Sequence, residues 1–485
     1  MFSRASNFTV SGGNFTTAIT KQYISPIFSD FRRIPLGDID LLREVCLDDD
    51  AVLRKRQGRH RHSVRKIYSA RIDGRDSNAT VAVYQGVVAQ EEWRHDLSKY
   101  HLVRHPSLIQ VWGIARLGNI YATVFHDDLM PLRQFLSIFR ELPTLTVYIY
   151  SYTFSDFTGA LTYFEDVCNQ ALLPNQCTLF IRGSTGQLCV DLVPDKQFHW
   201  VACVNEPSED ARIQLLNAGH GSSDQEISIM KFLSLEVYHE ISQCDLAQHS
   251  FEAISPSTIV DLDAVVLLHH SGSSRFEDSV KIAFLRQIDA EELDTLYWRL
   301  NEEMVGGEGW SCLPLQSIVG ATISLELRAS NARSWLSQAN HIFARLGIST
   351  NLEDYVIPAT VEFSLTIMKA DVTNAPSAYL LLCPVEDFEI RPASVRWPDC
   401  PAYWSLDSSG AQRLTLEDAE KLGLPSFALS AAVITKSWET NVYAALRRFH
   451  EAKGFDPDSQ EIASKLGHPL YCIGDDGKNI SAAQW

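Results

Sequence analysis

Seven lysines and arginines fall between Arg54 and Lys66, in RKRQGRHRHSVRK, directly behind the carboxylates Asp48, Asp49 and Asp50. Such a run can meet phosphate oxygens as mobile positive charge, and Gly58 is its one residue whose bare backbone could approach a phosphate closely. It could equally serve as a nuclear-import signal, and its plainest reading is a solvated loop with its own acidic counterweight. Three other constellations carry less. His269 and His270 are adjacent near a strand end, so they point to opposite faces and suit joint metal binding poorly. Ser334, His341 and Asp354 have the residue types of a hydrolytic triad, but no nucleophile-elbow sequence surrounds Ser334. The ten cysteines are scattered without a CxxC pair, which argues against a zinc site. Cys189 and Cys383 sit in apolar runs, as reduced core thiols do.

Periodicity gives the elements that would position these groups. KIYSARIDGRDSNATVAVYQG reads as two strands joined by a turn at Asp73, Gly74 and Asp76. AQEEWRHDLSKYHLV predicts a helix with Trp93, Leu97 and Tyr100 on one side, and RHPSLIQVWGIARLGNIYATVFHDDL two further strands around Gly118 and Asn119. Ahead of them, GDIDLLREV predicts a short helix from Asp38 with Ile39, Leu42 and Val45 as its stripe. QEISIMKFLSLEVYHEISQ predicts one buried helix with Ile227, Met230, Leu233, Val237 and Ile241 on its core face. SVKIAFLRQI reads as a strand, AEELDTLYWRLNEEM as a helix and VGGEGW as a loop; ARSWLSQANHIFARLG reads as an amphipathic helix, and TVEFSLTIMKA and AYLLLCPVEDFEI as strands. Towards the end, Thr415 starts a helix, and a second from Lys436 to Lys453 places Trp438, Val442, Leu446 and Phe449 on one face. Trp397, Tyr403 and Trp404 either form a protein-binding surface or cover the small core of that module.

The order strand, strand, helix, strand, strand, together with its wording, resembles a protein-kinase N-lobe. TVAVY stands where the strand with the nucleotide-binding lysine would be, the helix carries Glu91 and Glu92, and RHPSLIQVWGI resembles the segment leading into the fourth strand. VFHDDLMPLRQFL resembles the hinge, FTGALTYFEDV the long helix of the C-lobe, and TLFIRGSTGQLCVDLV the hairpin after the catalytic loop. The resemblance covers 52 to about 200 and implies an α+β fold: a kinase-like N-lobe with a reduced C-lobe, then a mixed α/β region and a small helical C-terminal module. The corresponding boundaries are a leader at 1–35, the degenerate kinase-like domain at 36–265, the mixed region at 266–394 and the aromatic-rich module at 395–485. Leader and tail also resemble those of uncharacterised proteins of mushroom-forming (basidiomycete) fungi.

Phosphoryl transfer needs glycines at the phosphates, a strand lysine, an aspartate base, and Asn and Asp ligands for magnesium. The resemblance places four degenerate nucleotide-site residues: Gly58 alone in the glycine loop, Tyr84 at the lysine position, Glu91 as the helix carboxylate without its lysine partner, and Asp191 near the metal-binding aspartate. FEDVCNQALLPNQ holds no positioned base. Expected, then, is a non-catalytic signalling or scaffold protein that contacts other proteins, without a required cofactor. The alternatives are weak binding of ATP and magnesium by a divergent kinase-like enzyme, or a nuclear regulatory role.

Composition narrows the partners. Apolar residues at 45% and charged residues at 21% predict a folded chain, and the net charge of −18 disfavours nucleic acid except through the 54–66 stretch. The first 25 residues lack a signal-peptide pattern and nowhere do 18 apolar residues run together, so an intracellular protein, cytoplasmic or nuclear, without a membrane partner is expected.

Overall fold

A computed structural model describes residues 31–45, 63–194, 223–268, 275–285, 293–295, 298–300, 303–304, 309–329, 332–373, 375–391 and 393–473. The architecture is mixed α/β with several antiparallel sheets. Among the described residues no helix is long and apolar enough to cross a membrane. The chain divides into two compact units, the first comprising 1–131, 160–184 and 189–198, the second 132–159, 185–188 and 199–485.

The first unit is built on five strands: β1 (Ile39–Glu44), β2 (Ser63–Ile72), β3 (Ala79–Gly86), β4 (Val111–Leu117) and β5 (Ile120–Phe125), in the order β1-β2-β3-β5-β4. Helix α1 (Ala89–Tyr100) lies between β3 and β4 in sequence. β3 is the centre of this sheet, and its first six residues, ATVAVY, are buried, because it is flanked on both edges and covered on both faces. Gly118, at φ 58°, makes the tight β4–β5 turn. The predicted helix from Asp38 is instead the edge strand β1: Ile39, Asp40 and Leu41 pair with Ile72, Arg71 and Ala70, so non-local hydrogen bonding overrides a weak helical stripe. A small sheet of β6 (Leu129–Pro131), β7 (Thr178–Arg182) and β8 (Leu188–Asp191) follows. Helix α2 (Leu132–Ile138) and the 26-residue α3 (Pro143–Cys168) separate β6 from β7 in the sequence.

The second unit is organised by the 13-residue strand Tyr355–Ile367. It pairs with Thr322–Ala329 on one edge and Phe427–Ser437 on the other, and Gln248–Ile254 extends the sheet. Along the strand Val361, Phe363, Leu365 and Ile367 are buried in alternation with partly exposed residues, which is what one covered sheet face requires. Beneath them Phe388 and Trp397 pack at 4.7 and 5.2 Å from the Phe363 ring. The indoles are satisfied: Trp298 donates to the Cys383 carbonyl at 2.9 Å and Trp404 to that of Pro425 at 3.1 Å. Trp397 and Trp404 are thus core residues, and Tyr403 remains half-buried.

Several expectations for this unit are corrected. The stretch at 227–241 is two helices, Ser223–Phe232 and Leu235–Asp245, because Ser234 caps the second by accepting from the Val237 amide; Ile227 is exposed, while Met230, Leu233 and Ile241 are buried. Leu293–Thr295, Arg299–Leu300 and Glu303–Met304 are short strands rather than a helix, the first two held against Thr322–Ala329. The C-terminal region is not only helical. Its β-branched run Val433, Ile434 and Thr435 lies in a strand beside Tyr355–Ile367, and the helix predicted from Lys436 begins at Thr440. Trp438 precedes that helix and Val442, Leu446 and Phe449 are buried on it. Thr415 does cap the helix Leu416–Lys421.

Candidate functional site

β2 and β3 bring Arg65 and Tyr84 directly opposite each other. Residues so paired share a face of the sheet. The face of α1 that packs on β3 and β5 adds Asp96 and Tyr100, four residues apart and hence one above the other. Trp93 fixes this helix: its ring lies 5.2 Å from that of Tyr121, and its indole donates to Thr123 Oγ1 at 3.0 Å. Asp191 arrives from the end of β8.

The five side chains form a closed network. The Arg65 guanidinium donates to Asp191 Oδ2 at 2.7 Å through Nη2 and to the Tyr84 hydroxyl at 3.0 Å through Nε. Tyr84 in turn donates to Asp96 Oδ2 at 3.0 Å, and Lys99 pairs with the other oxygen of Asp96 at 3.1 Å. Asp191 Oδ1 accepts from the Tyr100 hydroxyl and from the Val193 amide. The Arg65 side chain is 14% exposed and that of Asp191 1%, so neither charge has water to fall back on.

Electrostatics keeps Arg65 and the two phenols each in one protonation state. Burial works to lower the Arg65 pKa, but the Asp191 carboxylate, with Tyr84 and Tyr100, outweighs it and raises it well above the ordinary value. Burial raises Tyr84, only partly countered by Arg65, and burial followed by the Asp191 charge raises Tyr100. Both phenols therefore stay protonated and donate. Neither phenol is a poised base, and a metal at Asp191 would compete with the Arg65 cation and the Tyr100 hydroxyl.

Of the four residues singled out from the sequence, the structure brings together Tyr84 and Asp191. Gly58 lies outside the described residues. Glu91 sits exposed in the first turn of α1, and it is Asp96, more than a turn further on, that meets Tyr84. Of the basic stretch, two described members are bound within the first unit: Arg65 to Asp191, and Lys66 to Glu44 at 3.0 Å. Arg65, Asp96 and Tyr100 were missed. Arg65 was hidden in a charge run, although its place in an alternating strand opposite Tyr84 was a signal. Asp96 lies three residues after Trp93 and four before Tyr100, on the border of the same buried stripe.

No family model matches the chain, and neither does any curated protein. In the second unit, His341 Nδ1 lies 2.6 Å from the Asp458 carbonyl, a partner outside the imagined hydrolytic triad. His269 and His270 lie outside the described residues. Among the described residues no group of three or more His, Cys, Asp or Glu could hold a metal ion.

Proposed function

We propose that this is a non-catalytic, kinase-like signalling or scaffold protein that acts through contacts with other proteins, in the cytoplasm or nucleus. The observation that carries this reading is the occupation of the degenerate nucleotide site by the chain's own charges. Asp191, at the position of a metal-binding aspartate, is engaged by Arg65, Tyr100 and the Val193 amide, and the strand position of the lysine is a tyrosine held between Arg65 and Asp96. The kinase-like assignment is supported by the strand order β1-β2-β3-β5-β4, with a helix following the central strand, then a small β6-β7-β8 sheet. The Arg65 guanidinium spends its charge on Asp191 rather than offering it to a phosphate, and it cannot leave without stranding a buried carboxylate.

The test is thermal unfolding of the full chain with and without about 1 mM Mg-ATP, since a ligand that binds only the folded state raises its apparent stability by RT ln(1 + [L]/Kd). No shift is expected. A saturable, magnesium-dependent shift that Asp191→Ala abolishes would overturn the closed-site reading and make a nucleotide-binding enzyme the better one.

A further inference from the structure

The first unit also holds an open cleft of about 540 Å³, lined by Arg104, Gln110, His126, Asp127 and Arg182. None of these belongs to the Arg65–Asp191 network. A third guanidinium stands beside them, because Arg75 donates through Nη2 to the His126 carbonyl while lying 5.1 Å over the Trp112 ring. The sequence places these arginines far apart, at the β2–β3 turn, after α1 and at the end of β7, and only the fold gathers them.

Charge is poorly matched in this cleft. Asp127 lies 3.0 Å from Arg182 Nε, whereas Asp128, next in the chain, is turned towards Ser69 and Asn78. Three guanidinium charges against the one carboxylate of Asp127 leave a local excess of about +2, in a chain whose formal charge is −18. Two buried donors, Arg75 Nη1 and Arg182 Nε, have no hydrogen-bond partner among the described residues, since Arg182 Nε is close to Asp127 without being aimed at it. A buried donor left unsatisfied costs roughly 1–3 kcal/mol, so these guanidiniums are not fully compensated by the chain around them. The His126 imidazole feels the same imbalance: burial first, then Arg75, Arg182 and Arg104, outweigh Asp127 and lower its pKa. Arg182 and Arg104 are themselves held in place, Arg182 by the Pro106 carbonyl at 3.1 Å, and Arg104 by the carbonyls of Tyr100 at 3.0 Å and Val103 at 2.7 Å. Their donor forks are pre-oriented rather than loose.

We propose that this cleft is a binding site for a phosphate monoester, gripped by Arg75, Arg104 and Arg182 with His126 as a further donor. The charge selects the ligand class. A phosphate monoester carries about −1.5 to −2 at neutral pH and offers three acceptor oxygens, which matches the local excess, whereas a carboxylate would neutralise half of it. Guanidinium forks suit such tetrahedral oxyanions. The ligand could be a phosphorylated side chain of a protein or a small phosphorylated metabolite. The inference uses none of the four degenerate nucleotide-site residues and none of the Arg65–Asp191 network.

The experiment is calorimetric titration of the full chain with inorganic phosphate, a capped phosphoserine amide and glucose 6-phosphate, each against chloride at equal ionic strength. Saturable binding is expected, weakened roughly tenfold by Arg104→Gln and by Arg182→Gln, as loss of one charge-assisted contact implies. Because both arginines also hold backbone carbonyls, Asp127→Asn supplies the opposite sign: removing the competing carboxylate should tighten binding several-fold, which a general loss of folding would not do. The tighter of the two organic esters identifies the source of the phosphate. Absence of saturable binding by all three ligands, or binding indifferent to all three substitutions, would overturn the proposal.

Discussion

The two units each bury a polar cluster, and they solve the same problem in opposite ways. In the first, Arg65 and Asp191 are both charged and each is the other's compensation. In the second, His239 and His450 face each other with their Nε2 atoms 3.1 Å apart, beneath Tyr238 and Phe449, whose rings stack at 3.8 Å. Burial lowers both imidazoles. His450 and His468 lower His239 further, and Arg447 adds to burial in taking His450 down to about 4. His239 Nδ1 is buried without a hydrogen-bond partner among the described residues. A charge-compensated cluster is vulnerable to losing a partner, while a neutral one is vulnerable to gaining a proton.

The largest effect should come from breaking the compensated cluster. Arg65→Met or Asp191→Leu alone strands one buried charge and should cost about 3–5 kcal/mol, while the double substitution should recover most of that loss. Hydrogen exchange of the β2, β3 and β8 amides reads this locally, and additive single-site losses would show that the two side chains do not act as a pair.

Next in size is acidification, which should strike the other cluster. An imidazole whose folded pKa is about 4 against about 6.5 unfolded takes up its proton more readily in the unfolded chain, so stability falls as the pH drops through that window. The loss attributable to His450 should be on the order of 3 kcal/mol between pH 7 and pH 4. Urea unfolding of the parent and of His450→Gln checks the sign, since the variant should be less acid-sensitive. Equal sensitivity would place the acid lability elsewhere.

The smallest effects separate a network member from its sequence neighbour. Tyr84→Phe removes the hydroxyl shared by Arg65 and Asp96 and should cost about 1–2 kcal/mol. Glu91→Gln, on the exposed first turn of α1, should stay within about 0.5 kcal/mol. Similar losses for the two would mean that α1 is stabilised by its first turn rather than by the carboxylate at Asp96.

The sequence by itself determined the order of β2, β3, α1, β4 and β5, because the β-branched run TVAVY is short and follows a turn, and the Trp93, Leu97 and Tyr100 stripe has a helical period. It also showed that TVAVY carries no lysine and FEDVCNQALLPNQ no His-Arg-Asp, since residue types absent from a stretch need no fold to be noticed. What it could not decide were elements stabilised by distant partners. β1 and the strands at 293–304 looked helical until their pairing strands were in place, and Phe427–Ser437 is a strand because Tyr355–Ile367 lies beside it. Only the tertiary structure decided the site as well. Arg65 and Asp191 are 126 residues apart, and whether a basic residue is a solvated charge or half of a buried ion pair depends on which carboxylate the fold carries to it.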